Sequence, residues 1–276
     1  MTITIKEISN KYTIIFSFIV TLVILALYMA SMFAFAAIFK VDISNPEHNI
    51  GFYATSILSK IVFAGLAIFI LITFKIQSVM KLTQKGLLKG LLLGWFFILI
   101  GILVFIAGFD FSKAGSIERS SWLLLLFVAA VTFLTGVSEE FLCRGFLYNF
   151  IFSKFKNVKK AVFISSFIFG IAHLLNLFYA PVISVLVQVV YAFAFGVLFA
   201  ALYVRSGNIW AIVLLHGFVN FCNDAARVLT PPDVIPESGI LQQIPNLILA
   251  LIAICIGMFL IRKKKCIKTN KRSSIT

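Results

Sequence analysis

Two glutamates and an arginine interrupt a very apolar stretch at residues 138–146, SEEFLCRGF. Side chains of this kind can neutralise one another, activate a water or hold a cation. Further along the chain, FGIAH (169–173) ends in His173, and HGFVN (216–220) carries His216 and Asn220. An ionisable group inside a membrane span costs about 2.5–3.5 kcal/mol on insertion scales, so such groups mark function by default.

Helical angle separates the two glutamates. Glu140 and Arg144 are i and i+4 and share a face, which predicts a charge-neutralising structural pair. Glu139 is turned about 100° away and lacks that partner, which leaves it for chemistry. A glutamate near a neutral histidine, here His173, can act as general base on a water. His216 and Asn220, again i and i+4, can donate hydrogen bonds to the oxyanion of a tetrahedral intermediate. Together these roles amount to peptide-bond hydrolysis without a covalent nucleophile. The alternative chemistry is a zinc site built from Glu139, His173 and His216 with water in the fourth position.

The elements that must position these groups follow from composition. Of 276 residues, 61% are hydrophobic and 12% charged, with 31 phenylalanines and a mean hydropathy of +1.07. Soluble domains average about 25% charged residues, so this is the composition of an all-α, polytopic membrane helix bundle. The net charge of +14 sits in short basic runs beside apolar segments, as in cytoplasmic membrane loops, and no nucleic-acid-binding motif accompanies it. Nucleic acid is not an expected partner; the lipid bilayer is. Spans of about 20 apolar residues predict eight transmembrane helices, near 13–39, 52–74, 87–109, 121–143, 159–178, 181–204, 207–228 and 240–261. The fourth continues as a helix to about 153, and TPPDVIPESG (230–239) separates the last two. The whole chain, 1–276, reads as one integral membrane domain with its chemical core at 120–225.

With the N-terminus inside, 18 basic residues fall on the cytoplasmic side and only Lys40, Lys113, Arg119 and Arg227 outside. That imbalance and an even number of spans place both termini in the cytoplasm, most simply at a plasma membrane. Counting about 1.5 Å per residue from the cytoplasmic helix ends puts Glu139 and His173 roughly 21 Å deep, Asn220 roughly 20 Å and His216 roughly 14 Å. Three helices thus bring polar groups to nearly one level, in a cavity expected to open toward the cytoplasm. The shallower His216 disfavours zinc ligation, so a metal-free reaction is the preferred expectation.

Other polar residues have plainer readings. Lys60 can snorkel from its span. Ser138, Asn176, Gln188 and Asn223 serve helix packing, Phe169 packs on His173 one turn away, and His48 is a solvated loop residue. The cysteines, Cys143, Cys222, Cys255 and Cys266, lack CxxC spacing and read as reduced thiols.

EEFLCR fits EExxxR, FGIAH fits FxxxH and HGFVN fits HxxxN, in that order on successive helices. In these motifs the chain resembles the CPBP (CAAX protease and bacteriocin-processing, Abi) family, which includes the type II CAAX prenyl endopeptidases. The resemblance covers about residues 120–225. It implies an intramembrane endopeptidase in which Glu139 and His173 activate water, His216 and Asn220 form the oxyanion site, and Glu140, Arg144 and Phe169 support them. It further implies a peptide or protein substrate, possibly lipidated: a CAAX tail, a bacteriocin leader or a peptide precursor. Members are described both as metalloproteases and as glutamate-type proteases. The rival reading is a non-enzymatic membrane immunity or regulatory protein of the same fold.

Reporter fusions at the C-terminus and within 230–239 are expected to give opposite sidedness; a shared side would refute the eight-span scheme with cytoplasmic termini.

Overall fold

The structure, a computed structural model, describes residues 11–42, 49–117, 119–178, 180–229 and 243–262. His48, the 230–239 break and the basic tail after Arg262 lie outside them. Every regular element among the described residues is helical. Among the described residues seven helices or helical runs are long and apolar enough to cross a membrane, or eight when a bent helix pair is counted as one span. The protein is an integral membrane protein.

Helices α1 (Thr13–Phe39) and α2 (Ile50–Thr73) form the first two spans. The third, expected as one helix over 87–109, is instead α3 (Leu87–Leu93) and α4 (Trp95–Gly108), bent by 58° at Gly94. Close packing explains the break. A side chain at Gly90 would run into Ala211, and one at Gly94 into Leu215, so the bend wraps the third span onto the later helix that carries both. The fourth span is a 37-residue run, Arg119–Phe155, built from α5 (Arg119–Glu140), a π-helical stretch (Phe141–Tyr148) and α6 (Asn149–Phe155). The π-helical turns were not legible in the sequence. They are supported by Asn149, whose Nδ2 donates back to the carbonyls of Arg144 (2.7 Å) and Gly145 (2.9 Å).

Helix α7 (Val158–Ala172) starts at Asn157, which caps Lys160 N, and passes at His173 into a 3-10 segment, His173–Phe178. Helices α8 (Val182–Ser206) and α9 (Ile209–Leu229) are joined by a tight turn through Gly207, whose φ of 69° suits glycine. Asn208 then caps α9 through Ala211 N and ties the turn to the carbonyls of Thr83 and Lys85. Helix α10 (Ile244–Arg262) packs against α8.

The central layer is α5 with its π-helical stretch, α8 and α9, whose facing residues are buried. Large apolar side chains such as Phe69, Leu92, Leu126 and Phe259 are exposed on the outside, as lipid-facing residues must be. One close approach sets the register of the site. A Cβ at Gly136 would lie 2.6 Å from the Val213 carbonyl oxygen, so α5 and α9 meet backbone to backbone there. Glu140 is one turn beyond Gly136, and His216 one turn beyond Val213. The two helices are antiparallel, so these residues lie on opposite sides of the contact along the axis, and the closeness of the backbones lets their side chains meet across it.

Candidate active site

At the junction of α5 and the π-helical stretch, Glu140 and Arg144 form the i, i+4 pair the sequence predicts, at 2.8 Å and with both side chains essentially inaccessible. The same carboxylate oxygen, Oε1, also meets His216 Nδ1 at 2.7 Å. Glu140 thus reaches further than its predicted role as Arg144's counter-ion. It anchors a histidine 76 residues away. Arg144 completes the knot by donating to the Gly196 carbonyl of α8 (2.9 Å), with its guanidinium against the rings of Phe169 and Phe199.

Both histidines are held by Nδ1. A carbonyl or carboxylate oxygen can only accept, so His173 Nδ1–H donates to the Phe169 carbonyl (2.9 Å) and His216 Nδ1–H to Glu140. Each imidazole, when neutral, then carries its lone pair on Nε2. The Nε2 of His216 faces Glu139 Oε2 at 3.8 Å, beyond direct hydrogen-bonding distance and short enough for one oxygen atom to contact both. His216 is stacked on Phe199 at 5.1 Å, while Phe169 packs edge-on against both His173 (4.9 Å) and His216 (6.1 Å). Phe169 is therefore shared by Arg144 and both histidines.

The roughly 7 Å difference in depth read for Glu139 and His216 from helix ends does not separate their side chains. Counting from ends assumes parallel, regular helices, whereas here the fourth span carries π-helical turns and the α5–α9 register is set at Gly136. Asn220 is half-buried, one turn past His216 on the same helix. Among the described residues no hydrogen bond joins it to the glutamates or histidines.

One member of the site was misjudged from sequence. Lys60 of α2 does not snorkel. It is 9% exposed, and its Nζ lies 3.4 Å from Glu139 Oε1 and 4.8 Å from the centre of the Tyr28 ring of α1. Glu139, expected to lack a partner, has this one. Position along the span was the available signal, since Lys60 is about 15 Å from one end of α2 and about 20 Å from the other, too deep for its ammonium to reach water. With Lys60 and Arg144 against Glu139 and Glu140, the formal charges cancel when the histidines are neutral.

The remaining polar residues follow their plainer readings. Ser138 is fully buried and donates to the Thr135 carbonyl, and Asn176 bonds Gln188 across segments at 2.7 Å. Asn223 bonds its neighbour Asp224 rather than another helix. Cys143, Cys222 and Cys255 are free thiols.

Zinc does not fit this arrangement. Among the described residues no three His, Cys, Asp or Glu side chains converge closely enough to ligate one ion. The Lys60 ammonium stands beside the one carboxylate that would have to join the histidines, and it would repel a dication there.

Burial differs on the two sides of the site. Toward Phe155 the packing is closed: Phe141–Tyr148, Val197–Leu202 and Ile209 are buried. Toward the ends of α7 and α9 the neighbours are half-buried and include His173, Asn176, Gln188, Tyr191, Asn220, Asn223 and Asp224. The half-buried polar residues thus lie toward the end of the bundle that holds Leu177 and Leu229.

Fold and site together define a polytopic helical membrane protein with a charge-compensated glutamate–histidine centre at the meeting of its fourth to seventh spans. Residues 119–222 match the family described as Type II CAAX prenyl endopeptidase Rce1-like. This matched stretch contains Glu139, Glu140, Arg144, Phe169, His173, His216 and Asn220. No curated protein and no solved structure matched the chain.

Because Glu140 serves both Arg144 and His216, Glu140→Gln is expected to lower the melting temperature, through an unpaired buried guanidinium and a loosened imidazole. Breaking such a buried pair costs about 3–5 kcal/mol. Arg144→Gln should lose comparable stability, and the double variant should recover part of it; melts of the purified variants that show no recovery would refute the pairing.

Proposed function

We propose that this protein is an intramembrane endopeptidase that hydrolyses a peptide bond in a membrane-associated peptide or protein tail without a metal ion. The observation that supports this reading is the convergence of Glu139 Oε2 and His216 Nε2 at 3.8 Å, with both histidines fixed through Nδ1. Glu139 takes a proton from a water placed between these groups, and the hydroxyl oxygen attacks the scissile carbonyl carbon. Negative charge collects on the carbonyl oxygen of the tetrahedral intermediate. The Asn220 amide can donate to that oxygen, and so can His216 Nε2 when the ring carries a second proton. Collapse breaks the C–N bond, and the proton held by Glu139 passes to the leaving amine, directly or through His173. One water is consumed, and one carboxylic acid and one amine are released, the acid then giving its proton to the amine. His173 lies within electrostatic range of Glu139, which suits this relay.

A CAAX-type tail, a bacteriocin leader and a peptide precursor all have the required chemistry. We place the termini in the cytoplasm of a plasma-membrane protein, on the strength of the 18-to-4 distribution of basic residues. This orientation turns the half-buried polar residues at the ends of α7 and α9 away from the cytoplasm. On this reading substrate approaches Glu139 from the outer side, past the half-buried Asn220, Asn223 and Asp224, rather than through the cytoplasmic opening expected from sequence.

Glu139→Gln keeps the size of the side chain and removes the base. Cleavage of a quenched fluorescent peptide pool that includes prenylated CAAX tails should fall by about 10²–10⁴-fold, with accumulation of folded protein unchanged. Wild-type activity should survive stripping of zinc. Retained activity in Glu139→Gln, or loss on stripping that zinc restores, would refute this mechanism.

Approach from the outer side has its own test. In a variant whose four cysteines are replaced by alanine, Asn223→Cys should react with a membrane-impermeant thiol reagent added outside intact cells, and labelling should slow cleavage. Reaction only in inside-out vesicles would reverse the assignment.

A further inference from the structure

The matched domain begins at residue 119, yet one of the charges at its centre comes from α2. We infer that Lys60 is a positioning residue of the active site, whose ammonium holds Glu139 as a carboxylate aimed at the reacting water. The inference rests on the endopeptidase reading above and extends its machinery beyond the matched stretch.

Contrast between the two buried ion pairs carries the inference. Arg144 and Glu140 meet at 2.8 Å, a tight charge-assisted hydrogen bond, and the shared oxygen also accepts from His216. Glu140 is thereby committed to holding the helices together. Lys60 and Glu139 stand at 3.4 Å, well beyond the roughly 2.7–2.9 Å of a tight pair. Such a loose pair supplies the field that favours the carboxylate without occupying its lone pairs as a close bond would. A carboxylate must keep an oxygen available if it is to accept a proton from water.

Direction gives a second, independent argument. The two oxygens of Glu139 face different helices, Oε1 toward Lys60 of α2 and Oε2 toward His216 of α9. The ammonium is itself located by aromatic faces, with Tyr28 at 4.8 Å and Phe63 at 5.6 Å. An ammonium fixed on one side of the carboxylate turns the other oxygen toward the histidine. Asp224 is the other carboxylate within electrostatic range of Lys60, and it has Arg227 and Asn223 as partners of its own. Two ion pairs thus stand at the centre, Arg144 with Glu140 and Lys60 with Glu139, and Arg227 lies within electrostatic range of Asp224.

The experiment uses full-length protein, the same fluorescent peptide pool and thermal melts without substrate. Lys60→Met should lower kcat by about 10–100-fold, the effect of losing one charged hydrogen-bonding partner, while KM stays within about twofold. Lys60→Arg, which keeps the charge, should restore most of kcat. In the melts, Lys60→Met and Glu139→Gln should each destabilise, and the double variant should be more stable than the sum of the two losses predicts.

Wild-type kcat in folded Lys60→Met overturns the inference, as does strict additivity of the melting losses. A raised KM with unchanged kcat also overturns it, because the ammonium would then serve substrate binding. Should Lys60→Met fail to fold, Lys60→Arg decides: retained kcat supports the role, and a loss as deep as that of Glu139→Gln overturns it. A folded wild type that cleaves no peptide refutes the endopeptidase reading, while the melting coupling still reports on the pair. An active wild type with an indifferent Lys60→Met refutes the role of Lys60 alone.

Discussion

Glu140 Oε1 is the point on which the rest of the site depends. A carboxylate carried into the interior of a membrane protein must find compensation there, because water is not available to supply it. Here one oxygen accepts from Arg144 of the π-helical stretch and from His216 of α9, and Arg144 in turn donates to the Gly196 carbonyl of α8. Three segments of the bundle are thus tied through a single carboxylate, and none of the three can turn without stranding a charge or a donor. The aromatic faces of Phe169 and Phe199 close around the guanidinium and exclude competing partners.

Hydrogen bonds of this length require backbones that come close, and glycine supplies the closeness. At Gly136 the fourth span meets the seventh with no side chain between, and at Gly90 and Gly94 the bent third span closes over Ala211 and Leu215 of the same helix. Lipid tails give apolar helices little reason to associate, so packing of small residues and polar contacts between helices must do so. In this protein the two act at one place: the Gly136 contact sets the register and the Glu140 knot, one turn further on, locks it.

Adjacent glutamates acquire different characters from this packing. Glu140 is wholly buried and held tightly by two donors; Glu139 is more accessible and sits between a loosely placed ammonium and the free nitrogen of a histidine. Water activation needs the second environment, and structural cohesion needs the first. The stretch that matches the Rce1-like family supplies both glutamates and both histidines, while α2, outside the matched residues, supplies the ammonium. The same ammonium is what makes the carboxylate a poor ligand for a dication.

Much of this was legible in the sequence. Long apolar runs determined the spans, because hydrocarbon thickness sets a length that composition reveals. Periodicity along one helix determined the Glu140–Arg144 pair and the packing of Phe169 on His173, each four residues apart. Contacts between helices were not legible. Glu140 to His216 and Lys60 to Glu139 span 76 and 79 residues, and a helix's own periodicity says which residues share a face, not which face of another helix they meet. That azimuth was decided by the backbone contact at Gly136, and the reach of Arg144 toward α8 belongs to the π-helical turns that carry it. Lys60 read as a snorkelling residue for the same reason: only the packed bundle brings Tyr28 and Glu139 to it, and only there does a lone lysine in an apolar span become part of the site.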